Sequence, residues 1–487
     1  MAMAPTEGEI REDLSHGCEG FVKNVAESAA DQHRRGMTLF ELRPSVPRGI
    51  NPHLDPSIWP LSADVDQQGR LCIGGVAATE IAAQFGTPTY VVDEEDFRAR
   101  IRCYRAAFPG TELIYPGRTL LSVDVARWAA AEGVGVDVCS GGELAIALAG
   151  DVAPSRIILH GDAKKPDELY DAVAAGVGRV VIDSPSEIAL LAGWRRQQRV
   201  LIRVIPDIPG ATDALEQKFG FALAGGQAAG AVRRVLGQPA LEPVGLHCQL
   251  GSQLTDPEIY GAAIRQMVAT MADIRDRHRV ELTELSLGGG HAIPYLSGAP
   301  QLDLRALATV IDTALESACA EHALPRPKIV IEPGRAIAAR AGITLCRVIT
   351  VKRQPGGRTF AAVDGGMTDN ARLALHGTKY TVALANRHRP SATAPVTVVG
   401  QHCDAEDEIA RDIELPADIR PGDLLAIACT GAYHHSMGSS RNAVGRPPLV
   451  GVAGGRAREL VRRETIADLL ARDCGWTGMS WAANDAV

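Results

Sequence analysis

The chain has 487 residues, 46% hydrophobic and 22% charged, a composition that fits a folded globular protein long enough for two domains. A formal net charge of −8 and the lack of a basic run argue against nucleic acid or a membrane surface as partners, and no apolar stretch reaches the length of a spanning helix. Residues 1–12 have no signal-peptide core, and the ten cysteines show neither CxxC pairs nor zinc-like spacing, so the sequence reads as a cytoplasmic protein with reduced thiols.

Residues 1–60 lack sustained periodicity and are interrupted at Pro44, Pro47, Pro52, Pro56 and Pro60, which marks them as an N-terminal extension. Residues 61–92 hold short strand-like runs at Leu71-Cys72-Ile73 and Thr89-Tyr90-Val91-Val92 around a helical stretch over 77–84, and are expected to join the C-terminal domain. Over 93–340 the pattern becomes regular. Apolar runs open at Leu113, Val136, Ile157, Val180, Leu201, Val244, Leu285 and Ile329, with amphipathic segments over 123–131, 143–149, 166–175 and 185–197 between them. Eight such units predict an α/β protein built on a (β/α)8 TIM barrel, with an open doubly wound sheet as the alternative. Residues 341–487 change texture: short runs at 343–351, 359–363, 396–399 and 424–427 predict a β-domain, closed by a helix over 465–471 and a polar tail.

In a (β/α)8 barrel reactive groups stand at the C-terminal ends of the strands. That rule selects Arg118, Asp137, His160, Asp183, Arg203, His247 to Ser252, Gly288 to His291 and Glu332 to Arg335. Gly288-Gly289-Gly290 lets backbone N–H groups approach a phosphate, although a tight turn alone would also use glycines. Glu332-Pro333-Gly334-Arg335 places a carboxylate beside a guanidinium, which suits a heterocyclic nitrogen and an anion, or equally a structural ion pair. A lone His247 is more often a satisfied core residue than a ligand. Cys403 sits among Asp404, Glu406 and Asp407, a setting unlike that of an activated thiolate. His434 and His435 are sequence neighbours, which rarely ligate one ion together, so no metal site is assigned.

Taken in order, these motifs resemble the fold-type III, pyridoxal phosphate (PLP)-dependent decarboxylases, with the diaminopimelate decarboxylases nearest. The resemblance runs from about Leu71 to Arg463. It rests on Gly86-Thr87-Pro88-Thr89-Tyr90-Val91-Val92-Asp93, Asp137-Val138-Cys139-Ser140-Gly141-Gly142-Glu143-Leu144, Gln217-Lys218-Phe219-Gly220-Phe221, Gly245-Leu246-His247, the Gly288 loop, Glu332 to Arg335, Asp364-Gly365-Gly366-Met367 and Gly431-Ala432-Tyr433. It implies a barrel plus β-domain and a homodimer whose active sites are completed by the partner's Cys403 loop. It further implies that Ser252, Gly289, Gly290, Arg335 and Tyr433 hold the cofactor phosphate and Glu332 the pyridine nitrogen, with Gly334 also cofactor-binding. Asp137 matches the acidic residue near the Schiff base, Arg372 and Asp404 match substrate contacts, and Cys403 matches the catalytic cysteine.

The family carries its cofactor on the lysine of Tyr-Ala-x-Lys-Ala. Here the matching residues are Tyr115-Pro116-Gly117-Arg118-Thr119, and a guanidinium, which stays charged, cannot form that Schiff base. The ring-stacking histidine is Gln249, and other departures gather in the same pocket: His160-Gly161-Asp162-Ala163-Lys164, Cys403-Asp404-Ala405-Glu406-Asp407, Arg372-Leu373-Ala374-Leu375-His376 and Ser440-Arg441-Asn442. The loop 206–217 also looks shorter than the family's. Changed chemistry on a preserved scaffold is the expectation, with Arg118, Asp137, Cys403 and Asp404 as catalytic candidates and Arg372, His376, Gln249, His247 and Arg441 as substrate contacts. Three readings follow. In the first, a diverged decarboxylase in a specialised pathway acts on a small amino-acid-derived carboxylate without lysine-linked PLP. In the second, a decarboxylase holds PLP noncovalently or uses Lys164 as a substitute amine. In the third, the chain is a non-catalytic ligand-binding or partner subunit.

Overall fold

The computed structural model describes residues 54–194, 196–208, 218–389 and 392–477. Most of the N-terminal extension, most of the loop 206–217 and the end of the tail lie outside the described residues.

Eight parallel strands run Glu112–Pro116, Gly135–Val138, Ile157–Leu159, Arg179–Ile182, Gln198–Ile205, Leu241–His247, Glu284–Ser286 and Lys328–Ile331. Each pairs with its predecessor, and the last closes on the first through Val330 opposite Glu112 and Ile331 opposite Leu113. The predicted barrel is therefore present, and the open sheet is excluded by that closing pair. Its interior is a cluster of one residue from each of six strands, Ile114, Ile158, Val181, Leu201, Val244 and Val330, the branched side chains that fill such a barrel.

The strand-to-helix turns are set by serines. Ser122, Ser140 and Ser184 each precede a helix and accept a hydrogen bond from the backbone N–H three residues on, satisfying a donor the helix itself leaves unpaired. At Ser140 the cap brings the helix start forward to Gly141, ahead of the expected 143, and Glu143 reaches back to accept from the Cys139 N–H at 2.7 Å. The helix expected over 185–197 stops at Gly193, and the following strand begins at Gln198, whose N–H donates to the Ala240 carbonyl.

The β-domain is stitched to the chain on both sides of the barrel. Its longest strand, Gly342–Arg353, pairs antiparallel with Thr89–Asp93, with Thr359–Val363 and with Leu424–Ile427. Leu449–Ala453 lies parallel to Thr89–Asp93 on its other side. Strands Glu408–Pro416 and Arg456–Val461 are charged and half exposed, which is why no apolar run announced them. At the junction, a Cβ on Gly342 would run into the Gly431 backbone. This close approach lets the Tyr433 N–H reach the Thr119 carbonyl at 2.8 Å and carries the β-domain over the barrel mouth.

Candidate active site

A cavity of about 500 Å³ opens at the C-terminal ends of the barrel strands, lined by residues that include Arg118, His160, His247, Glu332, Arg335 and Tyr433. Asp137 stands behind Arg118, so most of the residues singled out by motif and strand end come together. Cys403, Asp404 and Arg441 do not. Asp404 and Arg441 are ion-paired to each other on the β-domain, and Cys403 is exposed on the same loop. Arg372 approaches the site over Tyr433, its guanidinium 5.5 Å from the ring centroid, with exposed His376 four residues on along the same short helix.

Arg118 donates from Nη1 to Asp137 Oδ1 at 2.5 Å and lies 3.8 Å from Cys139 Sγ. Its side chain is 35% exposed, toward the cavity, whereas Asp137 is fully buried with Oδ2 unpartnered. Burial works against the Arg118 charge, but Asp137, Cys139, Tyr433 and Glu332 outweigh it and hold the guanidinium well above its ordinary value. Cys139, buried beside Asp137, has its thiol pushed up to about 12. The mouth therefore carries a permanent cation and a neutral thiol.

Deeper in, Glu332 Oε1 accepts from Ser286 Oγ at 2.9 Å and lies 3.4 Å from His160 Nε2 and 3.5 Å from His247 Nε2. Burial lowers His247 below the ordinary imidazole range in spite of the adjacent carboxylate. Burial pushes the Glu332 carboxyl up, and the adjacent His160 and His247 rings more than reverse that and hold it well below the carboxylate range. Glu332 Oε2, His160 Nε2 and both His247 ring nitrogens have no hydrogen-bond partner. Buried polar atoms of this kind are ready for a ligand.

On the other wall, Gly290 adopts φ +90°, and a Cβ there would meet the Gly251 carbonyl, while one on Gly289 would meet that of Glu332. The backbone is thereby left open to the cavity. Gln249 turns onto this loop, accepting from the Gly289 N–H at 3.1 Å and donating to the Gly251 carbonyl at 2.7 Å. Arg335 has no carboxylate partner among the described residues. It donates to Tyr295 Oη at 2.5 Å and Ser252 Oγ at 3.3 Å, and lies over the Tyr433 ring at 4.8 Å. Tyr433 itself is held at φ +61°, a strained backbone for a bulky residue. Tyr295, which tethers Arg335, was not picked out from sequence. It is a single aromatic in a loop, and its place just after the glycine turn is the only signal it carries.

Relatives share this fold. Residues 94–339 match the family described as "Pyridoxal-dependent decarboxylase, pyridoxal binding domain". The diaminopimelate decarboxylase of Actinosynnema pretiosum subsp. auranticum is 50% identical over 90% of this chain and 100% of its own length. The chain belongs to the pyridoxal-dependent decarboxylase family. The diaminopimelate decarboxylase of Mycobacterium tuberculosis is 42% identical over 86% of this chain and 98% of its own. Among solved structures, that of diaminopimelate decarboxylase from M. jannaschii superposes with a TM-score of 0.80 at 30% identity, covering 85% of this chain and 97% of that one.

Against that family's cofactor the pocket is a divided fit. The orphaned Glu332 oxygen suits a pyridine nitrogen, and the Ser252, Gly290, Arg335 and Tyr433 cradle suits a phosphate. Covalent attachment does not fit. No lysine lines the cavity among the described residues. Lys164, the substitute amine of the second reading, is buried with Nζ on the Gly161 carbonyl at 2.5 Å, the Val181 carbonyl at 2.7 Å and Glu187 at 3.1 Å. All three of its donors are used, which overturns Lys164 as the replacement amine. Lys218 stands at the rim, paired with Asp162 at 3.3 Å.

Proposed function

We propose that this chain is a diverged diaminopimelate decarboxylase-like lyase that removes CO2 from a small amino-acid-derived carboxylate without a cofactor bound to lysine. The observation that carries this reading is the Arg118–Asp137 pair at the mouth of a cavity without a lysine among the described residues. Pyridoxal phosphate, when bound, supplies an electron sink for the carbon that loses CO2. Glu332 would face its ring nitrogen, and Ser252, Gly290, Arg335 and Tyr433 its phosphate.

The chain's own residues supply orientation and charge. Asp137 binds one nitrogen of Arg118 and fixes the plane of the guanidinium. Nε and Nη2 have no acceptor among the described residues, so one edge remains to receive a carboxylate or to stabilise negative charge as the carbon–carbon bond breaks. Exposed Cys403 and Arg441 and half-buried Asp404, all outside this cavity, support a second role, completing the site of a partner copy in a homodimer with shared active sites.

The test is CO2 release from diaminopimelate, lysine, ornithine and their 2-oxo acids, with and without added pyridoxal phosphate. The reading predicts release from at least one, reduced 100-fold or more, about 2.7 kcal/mol, in Arg118→Ala. A folded protein that releases CO2 from none of these overturns it.

A further inference from the structure

Gln249 takes up one of the hydrogen-bond donors that the glycine turn presents to the cavity. It lies so close along the turn that a Cβ on Gly288 would run into its Oε1. That oxygen accepts from the Gly289 N–H at 3.1 Å, while Nε2 donates to the Gly251 carbonyl at 2.7 Å. The turn does not depend on this amide for its shape, because its three carbonyls are held from elsewhere. Gly288 accepts from the Glu332 N–H at 2.7 Å, Gly289 from Tyr260 Oη at 2.8 Å and Gly290 from the Leu254 N–H at 2.9 Å. Of the N–H groups, that of Gly288 goes to Ser286 Oγ, and that of Gly290 has no partner among the described residues. Two donors could therefore serve a ligand in the cavity, and Gln249 holds one of them.

We infer that Gln249 is a specificity-determining residue of the anion cradle: by occupying the Gly289 N–H it weakens the hold on a phosphate and narrows the preference for phosphate-bearing over phosphate-free ligands. A backbone N–H gains more from a charged oxygen than from a neutral amide, so the donor withdrawn is one that a phosphate would use. Displacing the amide is costly in turn. Both ends of Gln249 are bonded, and moving it would also leave the carbonyl of buried Gly251 without its partner. A phosphate is therefore left with the Gly290 N–H, Ser252, Arg335 and Tyr433. The inference rests on the reading above, in which this cradle faces a phosphate that no lysine tethers, so that noncovalent contacts alone decide how tightly it is held.

The experiment is calorimetric titration of the full-length chain with pyridoxine phosphate, which has no aldehyde and cannot bond to an amine, and with pyridoxine, which has no phosphate. Gln249→Ala should tighten pyridoxine phosphate by about tenfold or more and leave pyridoxine unchanged. Gln249→Glu, which keeps an acceptor on the Gly289 N–H and adds a negative charge, should weaken pyridoxine phosphate. A residue that merely shaped the cradle would give the opposite sign in Gln249→Ala, so a loss of phosphate affinity, no change, or an equal gain for pyridoxine overturns the inference. A crystal structure of the unmodified chain with pyridoxine phosphate needs no substitution. It should show Gln249 still on Gly289 and phosphate oxygens on Gly290 and Arg335, and an oxygen on the Gly289 N–H would overturn the inference. Turnover plays no part in these readouts. A chain that releases CO2 but gains no phosphate affinity in Gln249→Ala rejects this role of Gln249 alone, and a gain in affinity without CO2 release from any acid rejects the proposed activity alone.

Discussion

The two ends of the barrel both bury charge, and they treat it in opposite ways. At the N-terminal end Arg179 donates to both oxygens of Glu112, at 2.6 and 2.8 Å, and to Glu284 at 2.9 Å. Arg199 takes the other Glu284 oxygen at 2.9 Å, and Lys328 approaches Glu112 at 2.8 Å. Every carboxylate oxygen there has a cation. At the C-terminal end Asp137, Asp183 and Glu332 each keep one buried oxygen without a partner, beside imidazole nitrogens in the same state. Leaving such groups unpaired costs stability that a ligand or a reaction must offset. One end is built for folding, and the other for binding.

Substitutions at the two ends should separate stability from activity. The largest effect is expected at the paired end. Arg179→Ala strips the buried cation shared by two carboxylates, leaving Glu112 to Lys328 and Glu284 to Arg199, and should lower unfolding stability by about 3 kcal/mol, read by denaturant titration, with CO2 release per folded molecule unchanged. Acid should act on the upper rim. Burial, then Arg372, pushes His434 down to about 3, below the ordinary imidazole value. The unfolded chain then binds the proton first, so this contribution is full above about pH 6.5 and is lost as pH falls toward 3. Stability should drop by about 2 kcal/mol between neutrality and pH 5, and His434→Gln should flatten that slope. The smallest stability change belongs to the unpaired end. Glu332→Gln removes a buried charge that has only partial compensation and should shift unfolding by less than about 1 kcal/mol, while cutting CO2 release 100-fold or more. A loss of several kcal/mol there, matching Arg179→Ala, would erase the contrast.

The barrel was legible in the sequence because each strand is an apolar run and each serine cap or glycine turn is local. The glycine turn and Arg335 were legible for the same reason, lying in short motifs, but not that the Gly289 N–H would be taken by Gln249. Residues 408–416 and 456–461 were missed because their strands alternate charge at a half-exposed edge. The commitment of Lys164 to Val181 and Glu187 could not be read, since those partners are 17 and 23 residues away. Nor could the fold-back of Gln249 onto the glycine loop, which depends on the turns after two neighbouring strands meeting, 40 residues apart in sequence.

The central claim is that no lysine of this chain carries pyridoxal phosphate. Borohydride reduction of the protein mixed with pyridoxal phosphate, followed by peptide mass mapping, tests it most directly. The expected result is no reduced adduct on any lysine at the cavity in the unmodified chain, and an adduct at position 118 in Arg118→Lys. A stoichiometric pyridoxyl group on Lys164 or Lys218 of the unmodified chain would contradict the account.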